Sequence, residues 1–77
     1  RASIYPNPVF GERFFISTSS EIQEILIFTL LGDLVLHKDS INQSDFVVSY
    51  FLQPAGVYFV RIVFSNGYNI IDKIEVK

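Results

Sequence analysis

The chain has 77 residues, 49% of them hydrophobic and 16% aromatic, with no Cys, Met or Trp and a formal net charge of −2. A chain of this size forms at most one small domain and hides only about 60% of the surface its unfolded form exposes; with no disulfide available, its apolar side chains must supply the core. Six Lys and Arg against eight Asp and Glu, without a basic run, leave no footprint for a phosphate backbone and argue against nucleic acid as a partner.

The longest apolar runs, near Glu24 to Leu31 and Val57 to Phe64, fall well short of the roughly 18 residues of a membrane-spanning helix. The chain starts at Arg1, contains no Met and shows no signal segment, so it reads as a fragment of a larger protein. Absence of Cys fits an extracytoplasmic setting, and a cytosolic domain can lack Cys by chance, so the compartment needs other evidence. Mean hydropathy is positive, which predicts apolar surface left over for a neighbour.

Short apolar and β-branched runs alternate with turn residues, and no stripe of period 3.6 is long enough for a helix. Seven strands are predicted. Ser3 to Tyr5 comes first and runs into Pro6-Asn7-Pro8, where the prolines hold Tyr5 and Asn7 extended and remove two backbone donors. Glu12 to Ser17 is the second, Ser17-Thr18-Ser19-Ser20 a polar loop, and Gln23 to Phe28 the third. Gly32 supplies the freedom for a tight turn into the fourth, Asp33 to Lys38. A polar loop from Asp39 to Ser44 precedes the fifth, Asp45 to Tyr50, and Gln53-Pro54-Ala55-Gly56 makes the next corner. Val57 to Phe64 is the sixth, joined to the last, Asn69 to Val76, by Asn66-Gly67, read as a two-residue hairpin turn. Turn signals about every ten residues point to an all-β, Ig-like antiparallel sandwich.

Alternation along Val57 to Phe64 places Tyr58, Val60, Ile62 and Phe64 on one face and Val57, Phe59, Arg61 and Val63 on the other. The solvent face is therefore more apolar than a small sandwich needs. Either loops and curvature cover it, or Phe59, Val63 and Val47 form a docking surface.

Catalytic chemistry has little to draw on. His37 is the only imidazole and reads as a surface residue at a strand end. The loop Asp39 to Asp45 carries oxygen ligands but lacks the central Gly of an EF-hand, and Tyr50 stands where the bidentate Glu would be. Asn42-Gln43-Ser44 is a formal glycosylation sequon. Glu12, Glu21, Glu24 and Glu75 are scattered, and Tyr68 is the ring best placed for sugar stacking. No enzyme activity, metal or cofactor is expected.

Four blocks carry a resemblance: Ile4-Tyr5-Pro6-Asn7-Pro8; Ile27-Phe28-Thr29-Leu30-Leu31-Gly32 with Leu34-Val35-Leu36; Leu52-Gln53-Pro54-Ala55-Gly56-Val57-Tyr58-Phe59-Val60-Arg61-Ile62; and Lys73-Ile74-Glu75-Val76-Lys77. In this order they resemble the C-terminal sorting domain of the Bacteroidetes type IX (Por) secretion system over the whole chain. Thr29, Phe28 and Asp33 depart from the family's usual residues within one hairpin turn.

The resemblance implies a domain at the end of a larger secreted or surface protein, in the periplasm in transit and then at the cell surface or released. Its partners would be the outer-membrane translocon, a surface sortase-like peptidase and the preceding cargo domain. The residues for recognition are Pro6, Asn7, Pro8, Gly32, Gly56, Tyr58, Phe59, Arg61, Val63, Lys73, Ile74, Glu75, Val76 and Lys77; the alternative is that these motifs only build the fold, with Pro6-Asn7-Pro8 a rigid entry to it. Ile74 and Val76 would anchor the last strand while Lys73, Glu75 and Lys77 keep its other side soluble, leaving an edge open to strand addition or self-association. The competing reading is an Ig-like spacer or carbohydrate-binding module attached to an extracellular enzyme.

Overall fold

A computed structural model describes residues 2–77. It is all-β, with six antiparallel strands: β1 (Ala2–Tyr5), β2 (Phe14–Thr29), β3 (Leu34–Lys38), β4 (Gln43–Val48), β5 (Gly56–Phe64) and β6 (Asn69–Val76). Six strands replace the expected seven because the second and third are one strand of 16 residues. The polar run between them stays extended: Ser19 and Ser20 are exposed, Ser17 and Thr18 are half-buried, and the Thr18 hydroxyl donates to the Ser44 carbonyl at 2.9 Å. Polarity alone does not break a strand whose polar groups find water or a partner.

β2 is the spine of the sheet. Its first half lies between β1 and β4, with Phe15 opposite both Tyr5 and Val47. Its second half lies between β5 and β3, with Ile25 opposite both Ile62 and Lys38. Since Ile22 pairs with Gln43 on one side and Phe64 on the other, β1 and β5 share one edge of β2 while β3 and β4 share the other. β6 adds outside β5.

A change of side-chain parity marks the bend. Phe14, Ile16 and Ile22 are buried at even positions, whereas Ile25 and Ile27 are buried at odd ones. An uninterrupted strand cannot do this, because its side chains alternate strictly. Pairing with β5 jumps from Ile22–Phe64 to Glu24–Val63, which leaves Gln23 as an extra residue. This bulge turns the second half of β2 over so that both halves bury their apolar sides in a single curled core. Phe14, Phe51 and Tyr58 join the halves by edge-to-face contacts, with ring centroids 5.4 and 5.5 Å apart.

Both tight hairpins use the same loop. Thr29 N–H donates to Asp33 O at 2.8 Å and Gly32 N–H to Thr29 O at 2.9 Å; Phe64, Tyr68 and Gly67 repeat the pattern at 2.8 and 2.9 Å. These are three-residue loops closing on a glycine of positive φ, +93° at Gly32 and +95° at Gly67. The two-residue turn expected at Asn66-Gly67 is corrected accordingly: the Asn66 side chain accepts from Tyr68 N–H, holding Tyr68 as the closing partner.

Candidate functional site

After β1 the chain passes through Pro6-Asn7-Pro8 and meets the outer edge of β6. Pro6 and Pro8 have no N–H to offer a ladder. The carboxamide of Asn7 carries the same donor and acceptor as a peptide group and takes over. Its Oδ1 accepts from Glu75 N–H at 3.0 Å and its Nδ2 donates to Lys73 O at 3.2 Å. Val9 continues in parallel: its N–H donates to Glu75 O at 2.7 Å and its O accepts from Lys77 N–H at 3.0 Å. Four hydrogen bonds therefore strap the N-terminal segment across the edge from Lys73 to Lys77. The open edge expected there is already occupied.

The strap brings distant blocks of sequence together. Across the sheet, Gly56 lies opposite Val76, Val57 opposite Glu75, Tyr58 opposite Ile74 and Phe59 opposite Lys73. On the far side of β5, Phe28 and Thr29 lie opposite Phe59 and Tyr58. The four blocks singled out in the sequence thus form four neighbouring layers: strap, β6, β5 and the end of β2. Gly32 sits just beyond, at the tip of the β2–β3 hairpin.

Residues 12–76 match the family described as Domain of unknown function (DUF8694). The chain belongs to that family. No curated protein matches the chain. Within this DUF8694 domain the matched span covers β2 to β6, and the strap precedes it.

Burial divides the candidate residues of the DUF8694 domain into two groups. Tyr58, Ile74 and Val76 point into the core, with Ile74 at 0% exposure. Tyr58 also donates its hydroxyl to Pro54 O at 2.6 Å, holding the corner before β5. These three side chains build the site and present nothing to a partner. Asn7, Arg61, Lys73, Glu75 and Lys77 are exposed, as are Pro6, Gly32 and Gly56, while Pro8, Phe59 and Val63 are half-buried. Lys77 and Glu75 form an ion pair at 3.0 Å on this surface, a contact that contributes little to stability in water.

Outside the core, β2, β5 and β6 present three cross-strand rows: Phe28–Phe59–Lys73, Leu26–Arg61–Ile71 and Glu24–Val63–Asn69. Neighbouring side chains shield Phe59 and Val63 in part, and Ile71 is the most open apolar residue of these rows at 62% exposure. Val47 does not join them. It lies on β4 opposite Phe15, which stacks on Tyr5 at 5.4 Å, in the other half of the sheet.

The remaining singled-out residues fall elsewhere. His37 Nε2 contacts Glu24 Oε2 at 2.5 Å on the exposed face, an ion pair when the imidazole is protonated. Tyr68 is exposed at the β5–β6 turn. In the stretch Asp39 to Ser44, Ile41 is buried in the core and Gln43 and Ser44 open β4, while Ile41 and Asn42 donate their N–H groups to Gln23 O and Ile22 O at the bend. Sequence reasoning missed the strap. Its signal was an amide side chain between two residues that cannot donate, which is the side chain best able to replace the missing ladder bonds.

Proposed function

We propose that this DUF8694 domain is a non-catalytic C-terminal sorting domain, read by the type IX outer-membrane machinery while attached to a cargo protein and then cut off by a surface peptidase. The observation that supports the reading is the assembly of the four resembling blocks into neighbouring layers, with the Asn7 side chain fastened to Lys73 and Glu75. A signal carried by a folded domain must present shape. Here the first and last blocks of the chain form one surface, which exists only once folding is complete.

In this reading the outward residues Phe59, Arg61, Val63, Lys73, Glu75 and Lys77 are what the machinery touches, with the strap beside them. Tyr58, Ile74 and Val76 hold that surface in place. An Ig-like sandwich is the finer fold of this reading; the curl of β2 supports it, as does the hydroxyl of Tyr58 reaching four residues back to Pro54, which resembles the tyrosine corner of such folds.

The test is export of a periplasmic reporter carrying residues 1–77 in a Bacteroidetes host. Deleting Lys73 to Lys77 would remove Ile74 and Val76 from the core, so Lys73, Glu75 and Lys77 are changed together to Ser instead. Export of the parent fusion, lost in the triple variant at unchanged melting temperature, is the expected result. Retention of the parent in the periplasm sinks the proposal. Undiminished export of the triple variant, and of Phe59→Thr with Val63→Thr, removes this surface from the mechanism.

A further inference from the structure

β3 and β4 follow one another along the same side of β2, each pairing with β2 alone. No strand of the described residues lies beyond them. Such an edge exposes a row of backbone donors and acceptors, and natural sheets usually blunt it with proline, inward-pointing charge or a bulge. β4, Gln43-Ser44-Asp45-Phe46-Val47-Val48, contains no proline, and its apolar half carries no charge. Two hollows share Phe46 and Val47 in their walls. One of about 200 Å³ reaches Tyr5, Phe15 and Asp45, and one of about 290 Å³ reaches Leu36, Lys38 and Tyr50.

We infer that the β3–β4 edge is a strand-addition site for an extended segment of another protein, with apolar side chains at alternate positions and a cationic residue beside Asp45. The inference is independent of the sorting role. Water satisfies the free edge, and an extended backbone is the partner that matches its whole row of donors and acceptors, so the edge fits a strand best. Side chains of an added strand project with a period of two, which suits apolar groups at alternate positions over the Phe46–Val47 hollows. Asp45 is exposed and has no ion-pair partner among the described residues.

Charge also weighs against a second copy of this chain. Antiparallel pairing of β4 with its own copy about Asp45 sets the two carboxylates directly opposite each other, where like charges are destabilising.

The probe is the blocked peptide Thr-Val-Lys-Val-Thr-Val-Lys, titrated into isotope-labelled chain 1–77 and followed by amide chemical shifts and hydrogen exchange. Shifts confined to residues 34–50, with exchange slowed in β4, are expected. N-methylation of alternate peptide residues weakens binding at least tenfold, and so does Val47→Lys, a change at an exposed position that leaves the remaining spectrum intact. Asp45→Lys reverses the preference toward a peptide with Glu in place of Lys. Absence of binding at millimolar peptide, equal binding of the methylated peptide, or shifts centred outside β3 and β4 overturns the inference. A concentration-dependent dimer of the free chain through β4 assigns the edge to a second copy and overturns it equally.

Discussion

The two sides of this sheet end differently. On one side β6 carries Lys73, Glu75 and Lys77 outward, the charge pattern of a strand that protects itself, yet it is covered by a strap held with four hydrogen bonds. On the other, β4 carries Phe46, Val47 and Val48, the composition of an inner strand, yet among the described residues only β2 pairs with it. Local composition would have assigned the two roles the other way round. What decides them is chain connectivity: the segment after β1 has to cross to β6, and among the described residues none returns along β4.

Positions that differ only in which way they point from β6 should separate most widely. Ile74 is fully buried and Ile71 is 62% exposed three residues away. Truncating a buried Ile to Ala removes its burial and leaves a cavity, at a cost of about 2–5 kcal/mol, a large share of the 5–15 kcal/mol that stabilises a typical domain. Ile71→Ala is expected within about 0.5 kcal/mol of the parent. Urea unfolding of both variants checks this. Equal losses would mean that the outward face of β6 is packed against something and that the edge is not the boundary described.

The strap comes next in size. Asn7→Ala removes both side-chain bonds to β6, each contributing about 0.5–1.5 kcal/mol, while the two Val9 bonds remain. A destabilisation of about 1–3 kcal/mol is expected, with faster hydrogen exchange at the Glu75 amide and little change at the amides of Val60 and Ile62. Asn7→Asp keeps the acceptor for Glu75 N–H but sets a carboxylate against the Lys73 carbonyl, so it should recover only part of the loss. An unchanged Glu75 exchange rate in Asn7→Ala would show that Val9 alone holds the strap.

The same contrast explains what was legible in the sequence. Alternation on β5 correctly placed Tyr58, Val60, Ile62 and Phe64 inside, because a strand buried on one face writes its register into its side chains. Ile74 and Val76 were readable for the same reason. The continuity of β2 was not: Ser17 to Ser20 has the composition of a loop, and its extended course rests on the pairing of Ser17 with Ser3 and Asp45, of Thr18 with Ala2, and on the Thr18 hydroxyl bound to Ser44 O. Asn7 meeting Glu75 joins residues 68 apart in sequence, and no local pattern encodes a contact of that range.

The two hairpin loops provide a finer comparison. Gly32 lies in a block that resembles a family motif and Gly67 does not, yet both close the same three-residue loop at positive φ with open space where a Cβ would stand. If backbone conformation alone requires the glycine, Gly32→Ala and Gly67→Ala should each cost about 1 kcal/mol and by similar amounts. Thermal unfolding of the pair tests this, each kilocalorie corresponding to about 4–8 °C for a domain of this length. A markedly larger loss at Gly32 would point to a role of the β2–β3 tip in packing. Equal losses, combined with impaired export for Gly32→Ala only, would make that tip part of the recognised surface.

Val47→Lys is expected to have the smallest effect on folding, and for that reason it isolates the open edge. Val47 is 45% exposed and stands opposite Phe15 in a row that ends with β4. A lysine there can lay its methylene stem along Phe15 and keep its ammonium in water, so the change in stability should stay within about 0.5 kcal/mol. The same lysine puts a charge on a strand edge, one of the ways natural sheets discourage pairing. Binding of the peptide Thr-Val-Lys-Val-Thr-Val-Lys should therefore weaken in the variant while the urea midpoint stays in place. The equivalent charge added to β6, Ile71→Lys, should have less influence on that binding, because the strap already closes the neighbouring part of that edge from Lys73 onward. If Ile71→Lys were the more effective of the two, the receptive side of the sheet would be β6 and the assignment of sealed and open edges would be reversed.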